Sequence, residues 1–208
     1  MSIYLSTAYF APVQYYSKLL TEESVFIEKY DNYIKQTYRN RCTILSANGV
    51  LTLSIPVEHT KSEKCLTRDV RIASHGNWQH LHWNAIVSAY NSTPFFEYYS
   101  DDFRPFYEKK HDFLFDFNEE LRILICELTG IENSRIEYTK EYQSKLFSGD
   151  KDYRDTIHPK KDWRTSDSDF KATPYYQVFG EKFGFTRNLS ILDLLFNMGN
   201  ESLLVLSK

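Results

Sequence analysis

Apolar and polar positions along the chain follow two rhythms, one of period two and one of helical spacing. Residues 3–8 form a short apolar run that enters the tight aromatic segment Tyr9-Phe10-Ala11-Pro12. Residues 13–21 have the character of a helix, and residues 24–28 form a second apolar run. Strand, loop, helix, strand is the opening of a parallel βαβ unit. Open α/β sheets take ligands beyond the carboxyl ends of their strands, so residues 9–14 are expected at the mouth of a pocket.

Further along, CTILSANGVLTLSIPV places two β-rich runs around Asn48-Gly49. That dipeptide predicts a hairpin with a type I′ turn, in which both central residues take positive φ. A polar loop over 59–67 and a short strand over 69–73 follow. Leu81, Ala85, Ile86, Ala89 and Tyr90 recur at helical spacing and predict a helix over 77–92, ended by Pro94. Another helix is expected over 103–113 with Pro105 in its first turn. Phe117, Leu121, Leu124, Ile125 and Leu128 define the next, with Asp116 as cap and Gly130 at the exit. Residues 140–173 are polar and lack apolar periodicity. They are too long for a plain connector, and read either as a mobile segment or as a functional lid. A last helix over 191–198 begins at the capping box Ser190…Asp193 and stops at Gly199, and the apolar run 203–206 either adds a strand or docks on the core. With no internal repeat and no linker, the pattern gives a single compact α/β domain over 1–208, with a βαβ-type start, a β-hairpin and additional helices.

Composition narrows the function classes. A formal charge of −3 without a basic stripe disfavours a nucleic-acid partner. No apolar run reaches the length of a membrane span, and the N-terminus lacks the pattern of a signal peptide. Three cysteines, none in a CxxC pair, argue against a zinc knuckle or a disulfide framework, and cytoplasmic residence is the default. The 16% aromatic content serves either core packing or stacking faces for a carbohydrate or nucleotide.

Four groups of residues carry candidate chemistry. In the opening turn, Tyr9 and Gln14 offer hydrogen bonds to a ligand, although the turn has neither histidine nor glycine. In KQTYRNR, Arg39 and Arg41 share one side if the segment is extended, an arrangement suited to a carboxylate or phosphate, with Tyr38 and Asn40 as neutral donors beside them. The competing reading pairs one arginine with Asp31. The histidines His59, His75, His80, His82, His111 and His158 show no HxxxH or HExxH spacing, so no metal site is expected, and His75 and His80 are candidates only for acid–base work. Finally, DKDYRDTIHPKKDWR interleaves Lys151, Arg154, Lys160, Lys161 and Arg164 with four aspartates. It is either a solvated loop or a lid in which His158 and Lys160 close over an anionic substrate. GxSxG, Walker and GxGxxG motifs are absent from the sequence.

Taken in order, YFAPVQYYSKL, QTYRNRCTIL leading into NGVLTLSIPV, WQHLHWNAIVSAYNSTPFFEYY and YQVFGEKFGFTRNLSILDLLFNMGNES resemble the bacterial WbqC-like family over nearly the whole chain. Tyr38, Arg39, Asn40, Arg41, Trp78, Tyr90, Pro94 and Phe96 are positions where the pattern is retained. Thr7-Ala8-Tyr9-Phe10-Ala11-Pro12 stands where many relatives carry a His-Gln-Pro-Asn-like opening. The resemblance implies a cytosolic protein associated with O-antigen and surface-polysaccharide biosynthesis, and a transferase role such as attaching glycine to a sugar.

The expectation is therefore a transferase holding an anionic donor such as a nucleotide-sugar, with no cofactor indicated. Arg39 and Arg41 would bind the anion, Tyr38 and Asn40 would orient it, and Tyr9 and Gln14 would line the acceptor side. A non-catalytic assembly protein of a polysaccharide pathway is the alternative, using Phe95-Phe96 and Tyr98-Tyr99 as interface. A degenerate nucleotidyltransferase is a third reading, resting on the βαβ start alone.

Overall fold

The computed structural model describes residues 1–58 and 65–208, so most of the expected 59–67 loop and His59 lie outside the described residues. The chain opens as expected, with β1 (Ser2–Ser6), α1 (Val13–Thr21) and β2 (Ser24–Glu28). β1 and β2 are parallel, in register from Ser2↔Ser24 to Ser6↔Glu28. Ile3, Leu5, Val25 and Ile27 are fully buried on one face, and Tyr4 stacks on Phe26 on the other. A sheet covered on both sides tolerates apolar side chains at successive positions, which explains the unbroken apolar character of these runs.

The hairpin follows as β3 (Arg41–Ser46) and β4 (Gly49–Ser54). Its turn differs from the expected type I′. Gly49 has φ 106°, while Asn48 is not among the residues at positive φ. The two loop residues are Ala47 and Asn48, and Gly49 occupies the left-handed position that follows such a turn in a bulged hairpin.

Three helices come next: α2 (Trp78–Tyr90), α3 (Phe96–Glu108) and α4 (Leu114–Thr129). α3 begins seven residues before the expected start, with Pro105 in its interior rather than its first turn. Phe96, Tyr99, Phe103 and Tyr107 form one buried stripe, and that burial carries the helix through a residue that cannot donate to the ladder. Asp116 is in the first turn of α4 instead of capping it, because Phe113 holds the cap position; Gly130 ends the helix at φ 77° as expected. Residues 69–73 make isolated bridges, Val57↔Ile72 and Arg71↔Phe113, instead of a strand.

Two further strands, β5 (Ile136–Tyr138) and β6 (Lys151–Asp152), complete a parallel sheet of order β5-β2-β1-β6. Neither is visible in the periodicity, since each is too short to show one. β6 and the segment after it lie inside the polar stretch 140–173. Buried Tyr153, Arg154, Ile157, Asp167 and Phe170 tie that stretch to the protein body, around the single-turn helix α5 (Trp163–Ser166).

The chain closes with α6 (Gly180–Phe183), α7 (Ile191–Met198) and α8 (Ser202–Leu206). Ser190 Oγ caps α7 by accepting from the Leu192 N–H at 3.3 Å. Only half of the expected box forms, because the Asp193 carboxylate accepts from Tyr90, Tyr175 and Gln177. Residues 203–206 are helical and dock on the core through Leu206.

Candidate functional site

The strand order reverses beside β1, with β2 and β5 on one side and β6 on the other. In open parallel sheets the crevice at such a reversal is the usual ligand position. Here protein groups fill it. Arg39, 2% exposed, donates through Nη2 to Ser6 Oγ at 2.7 Å and to Asp31 Oδ2 at 2.5 Å. Ser6 Oγ in turn donates to the Arg154 carbonyl at 3.1 Å. The cavity left among Ser6, Thr7, Arg39, Tyr153 and Ile157 is about 10 Å³, close to the size of one water.

Arg154 follows β6 and forks onto Asp152 at 2.9 and 2.6 Å, with fully buried Glu28 at 3.1 Å. Desolvation pushes the Asp152 carboxyl up, but the hydrogen bonds from Arg154 outweigh it and leave the group below the usual range. The segment from Asp152 to Trp163 contributes walls to two open clefts.

The first cleft has a volume of about 230 Å³ and is lined by Lys161, Arg187, His158, Tyr38, Trp163 and Gln14, among others, with no carboxylate in its wall. Gln14, which lines the cleft, is held from behind by long-range contacts. Buried Asp167 accepts from Gln14 Nε2 at 2.7 Å and from buried Lys18 Nζ at 3.0 Å. Gln14 also exchanges two hydrogen bonds with Asn188, 3.0 Å from its N–H to Oδ1 and 3.2 Å from Asn188 Nδ2 to Oε1. Asn188 has φ 54°, a conformation this residue type tolerates better than most. Burial, then Lys161, lowers the His158 pKa. Its Nδ1 accepts the Lys160 N–H at 3.0 Å, which assigns the proton of the neutral ring to Nε2, a donor. Burial pushes the Tyr38 phenol up to about 12, so it is a neutral hydrogen-bonding group at physiological pH.

A family profile described as the WbqC-like protein family matches residues 7–157, most of the chain. The chain belongs to the WbqC-like protein family. It is also 26% identical over 201 residues to an uncharacterized Mycobacterium tuberculosis protein, Rv1507c, covering 82% of this chain and 81% of that one. No solved structure matches the chain. In this WbqC-like protein the family match includes all of the filled crevice except Ser6, which precedes it by one residue. It ends one residue before His158, so the wall formed by Lys161, Trp163 and Arg187 lies beyond it.

The structure separates the residues that the sequence suggested would converge. Gln14, Tyr38 and His158 line the first cleft. Arg39 is in the filled crevice, paired with Asp31 and 3.8 Å from Asp155. Arg41 begins β3 opposite Ser54, its Nε buried and without a partner among the described residues, and Asn40 Nδ2 donates to the Ile55 carbonyl at 2.8 Å, so neither shares the Ser6 and Asp31 contacts of Arg39. Tyr9 is fully buried, its hydroxyl 3.0 Å from His82 Nδ1 and 2.6 Å from the Tyr107 hydroxyl. It therefore packs the core instead of lining an acceptor site. Its neighbour Phe10, at φ 40°, turns the chain from β1 into α1. Lys160 donates to Gln36 Oε1 and stands outside the cleft, which its neighbour Lys161 lines.

His75 and His80 are exposed, the latter bonded to Asn84 at 2.8 Å. Among the described residues, no group of three His, Cys, Asp or Glu side chains is arranged to hold a metal ion. No helix of the described residues is long and apolar enough to cross a membrane. Phe96 and Tyr99 are core residues, which leaves Tyr98 as the exposed ring of the aromatic segment considered as an interface. Sequence reasoning named Lys161 only among the charges of the 150–164 segment, and did not single out Arg187 or Trp163. Their only signal was membership of polar stretches, and they meet through contacts between segments far apart in sequence.

Proposed function

We propose that this WbqC-like protein is a cytoplasmic transferase of surface-polysaccharide biosynthesis whose anionic donor, a nucleotide-sugar, occupies the cleft of Lys161 and Arg187. The observation that carries the reading is the charge of that cleft, two cationic side chains and a histidine with no lining carboxylate. Paired cations of this kind suit phosphate oxygens, with arginine able to bond two at once. Tyr38 and Trp163 supply ring faces for the uncharged part of the donor. The Gln14 amide, held by Asp167 and Asn188, supplies a fixed polar group.

The test is a titration of the full chain with a panel of nucleotide-sugars and with inorganic pyrophosphate, followed by thermal shift and Trp163 fluorescence. A raised melting temperature and quenched emission are expected. Both effects should weaken as salt is added and vanish in Lys161→Ala/Arg187→Ala. Trp163→Phe should keep the thermal shift and lose the optical one. If no panel member shifts the melting temperature, or the double variant responds like the parent protein, the reading is wrong.

A further inference from the structure

Thr186, Arg187, Asn188 and Leu189 are consecutive in the chain and all border the cationic cleft. Three of them are tied to other segments. Thr186 is gripped at both backbone groups by one side chain. Its N–H donates to Gln177 Oε1 at 2.8 Å, and its carbonyl accepts from Gln177 Nε2 at 2.9 Å. The Gln177 amide thus pairs with Thr186 much as a neighbouring peptide unit would. On the other flank Asn188 exchanges two hydrogen bonds with Gln14, and the Leu189 carbonyl accepts the Val13 N–H at 2.9 Å.

Each glutamine is held in turn by a buried carboxylate. Gln177, 5% exposed, donates to Asp193 Oδ2 at 2.8 Å, and Gln14, 2% exposed, to Asp167 Oδ2 at 2.7 Å. The aspartates have separate anchors, the Tyr90 and Tyr175 hydroxyls for Asp193 and Lys18 Nζ for Asp167. Two independent Gln–Asp pairs therefore bracket Arg187, one on each side.

Burying a glutamine is unfavourable unless its amide is bonded, and ordering so long a side chain costs entropy. Gln177 meets the first condition in full, since both Nε2 hydrogens and Oε1 have partners. A bonded polar network of this kind specifies one geometry, because any shift leaves buried groups unmet. What it specifies here is the backbone on either side of Arg187, whose own side chain is exposed. A guanidinium bonds two oxygens at once only from the right approach, so the placement of its backbone bears directly on anion binding.

We propose that Gln177 and Asp193, neither of which lines the cleft, are positioning residues that hold Arg187 for anion binding. They act through Thr186, and their effect on a ligand passes through Arg187. The purpose of the bracket rests on the proposed function, in which Arg187 binds the donor.

Two measurements on the full chain test this, one with a ligand and one without. In amide hydrogen exchange, Gln177→Leu should speed exchange at Thr186 by about tenfold or more while the amides of β1 keep the parent rate. Asp193→Leu should do the same, and Asp193→Asn should restore protection, since a carboxamide oxygen still accepts from Gln177. In calorimetry with inorganic pyrophosphate, Gln177→Leu should weaken binding about tenfold, the loss of one charge-assisted contact. Added to Arg187→Ala, the same substitution should weaken it no further, a coupling that general loosening of the fold would not produce. The proposal is overturned if Thr186 exchanges alike in parent and Gln177→Leu, or if the losses from Gln177→Leu and Arg187→Ala simply add. A parent protein that binds no pyrophosphate would overturn the donor reading instead, and the exchange rates would then decide the bracket by themselves.

Discussion

Arg39 and Asp31 meet end-on, one guanidinium nitrogen 2.5 Å from one carboxylate oxygen, while Arg39 Nε and Asp31 Oδ1 have no partner among the described residues. Both side chains are nearly inaccessible to water, so the attraction between them offsets a large desolvation cost. Asp31→Ala strands a buried guanidinium and should cost about 3–5 kcal/mol in a denaturant titration. The double replacement Asp31→Leu/Arg39→Met should cost clearly less than the sum of the two single changes. Additive costs would mean that the two groups do not act as a pair.

His82 gives a pH-dependent contribution. Burial lowers its pKa from the ordinary 6.5 to about 4. In that window the unfolded chain binds the proton and the folded chain does not. Stability therefore falls as pH drops from about 6.5 to about 4, by roughly 3 kcal/mol in total. In His82→Phe this part of the acid limb should be missing, as read by denaturation midpoints at pH 7 and pH 4.5. An identical acid limb in parent and variant would contradict the assignment.

Asp193 works with the opposite sign. Burial raises its carboxyl from 3.8 to about 6, although Tyr175, Gln177 and Tyr90 all donate to it. Its contribution is fully present below the unfolded value and is lost as pH rises through about 6, again on the order of 3 kcal/mol. Asp193→Asn has no such titration. The stability of the variant relative to the parent should rise between pH 4 and pH 7, measured as a difference so that other titrating groups cancel.

Gly199 follows α7 at φ 55°, and a Cβ there would lie 2.6 Å from Phe95. Both the backbone conformation and the contact oppose a side chain. Gly199→Ala should destabilise by about 1–3 kcal/mol, seen as a lower denaturation midpoint. Phe95→Ala/Gly199→Ala should recover the steric part of that loss.

The opening βαβ unit, the hairpin, α2, the exit of α4 and α7 were legible because each repeats one apolar period or carries a glycine at a position that needs it. The start of α3 was not, since Pro105 suggested a first turn and the stripe from Phe96 to Tyr107 outweighed it. β5 and β6 are too short for any periodicity, and their pairing with β2 and β1 is a long-range event. The same distinction governs the site. Gln14, Tyr38 and His158 were readable as polar groups near one another. The cations that accompany them come from residues 161 and 187, which no local pattern links. Arg39 and Arg41 looked like one device because alternate residues of an extended segment share a side. Arg39 pairs with Asp31, while Arg41 begins β3.

The outer members of the parallel sheet are three and two residues long, β5 and β6. An edge so brief presents very few unpaired backbone groups to a neighbouring molecule. Such margins are a poor template for intermolecular strand addition, and the β6 edge carries in addition the partly exposed charge of Lys151.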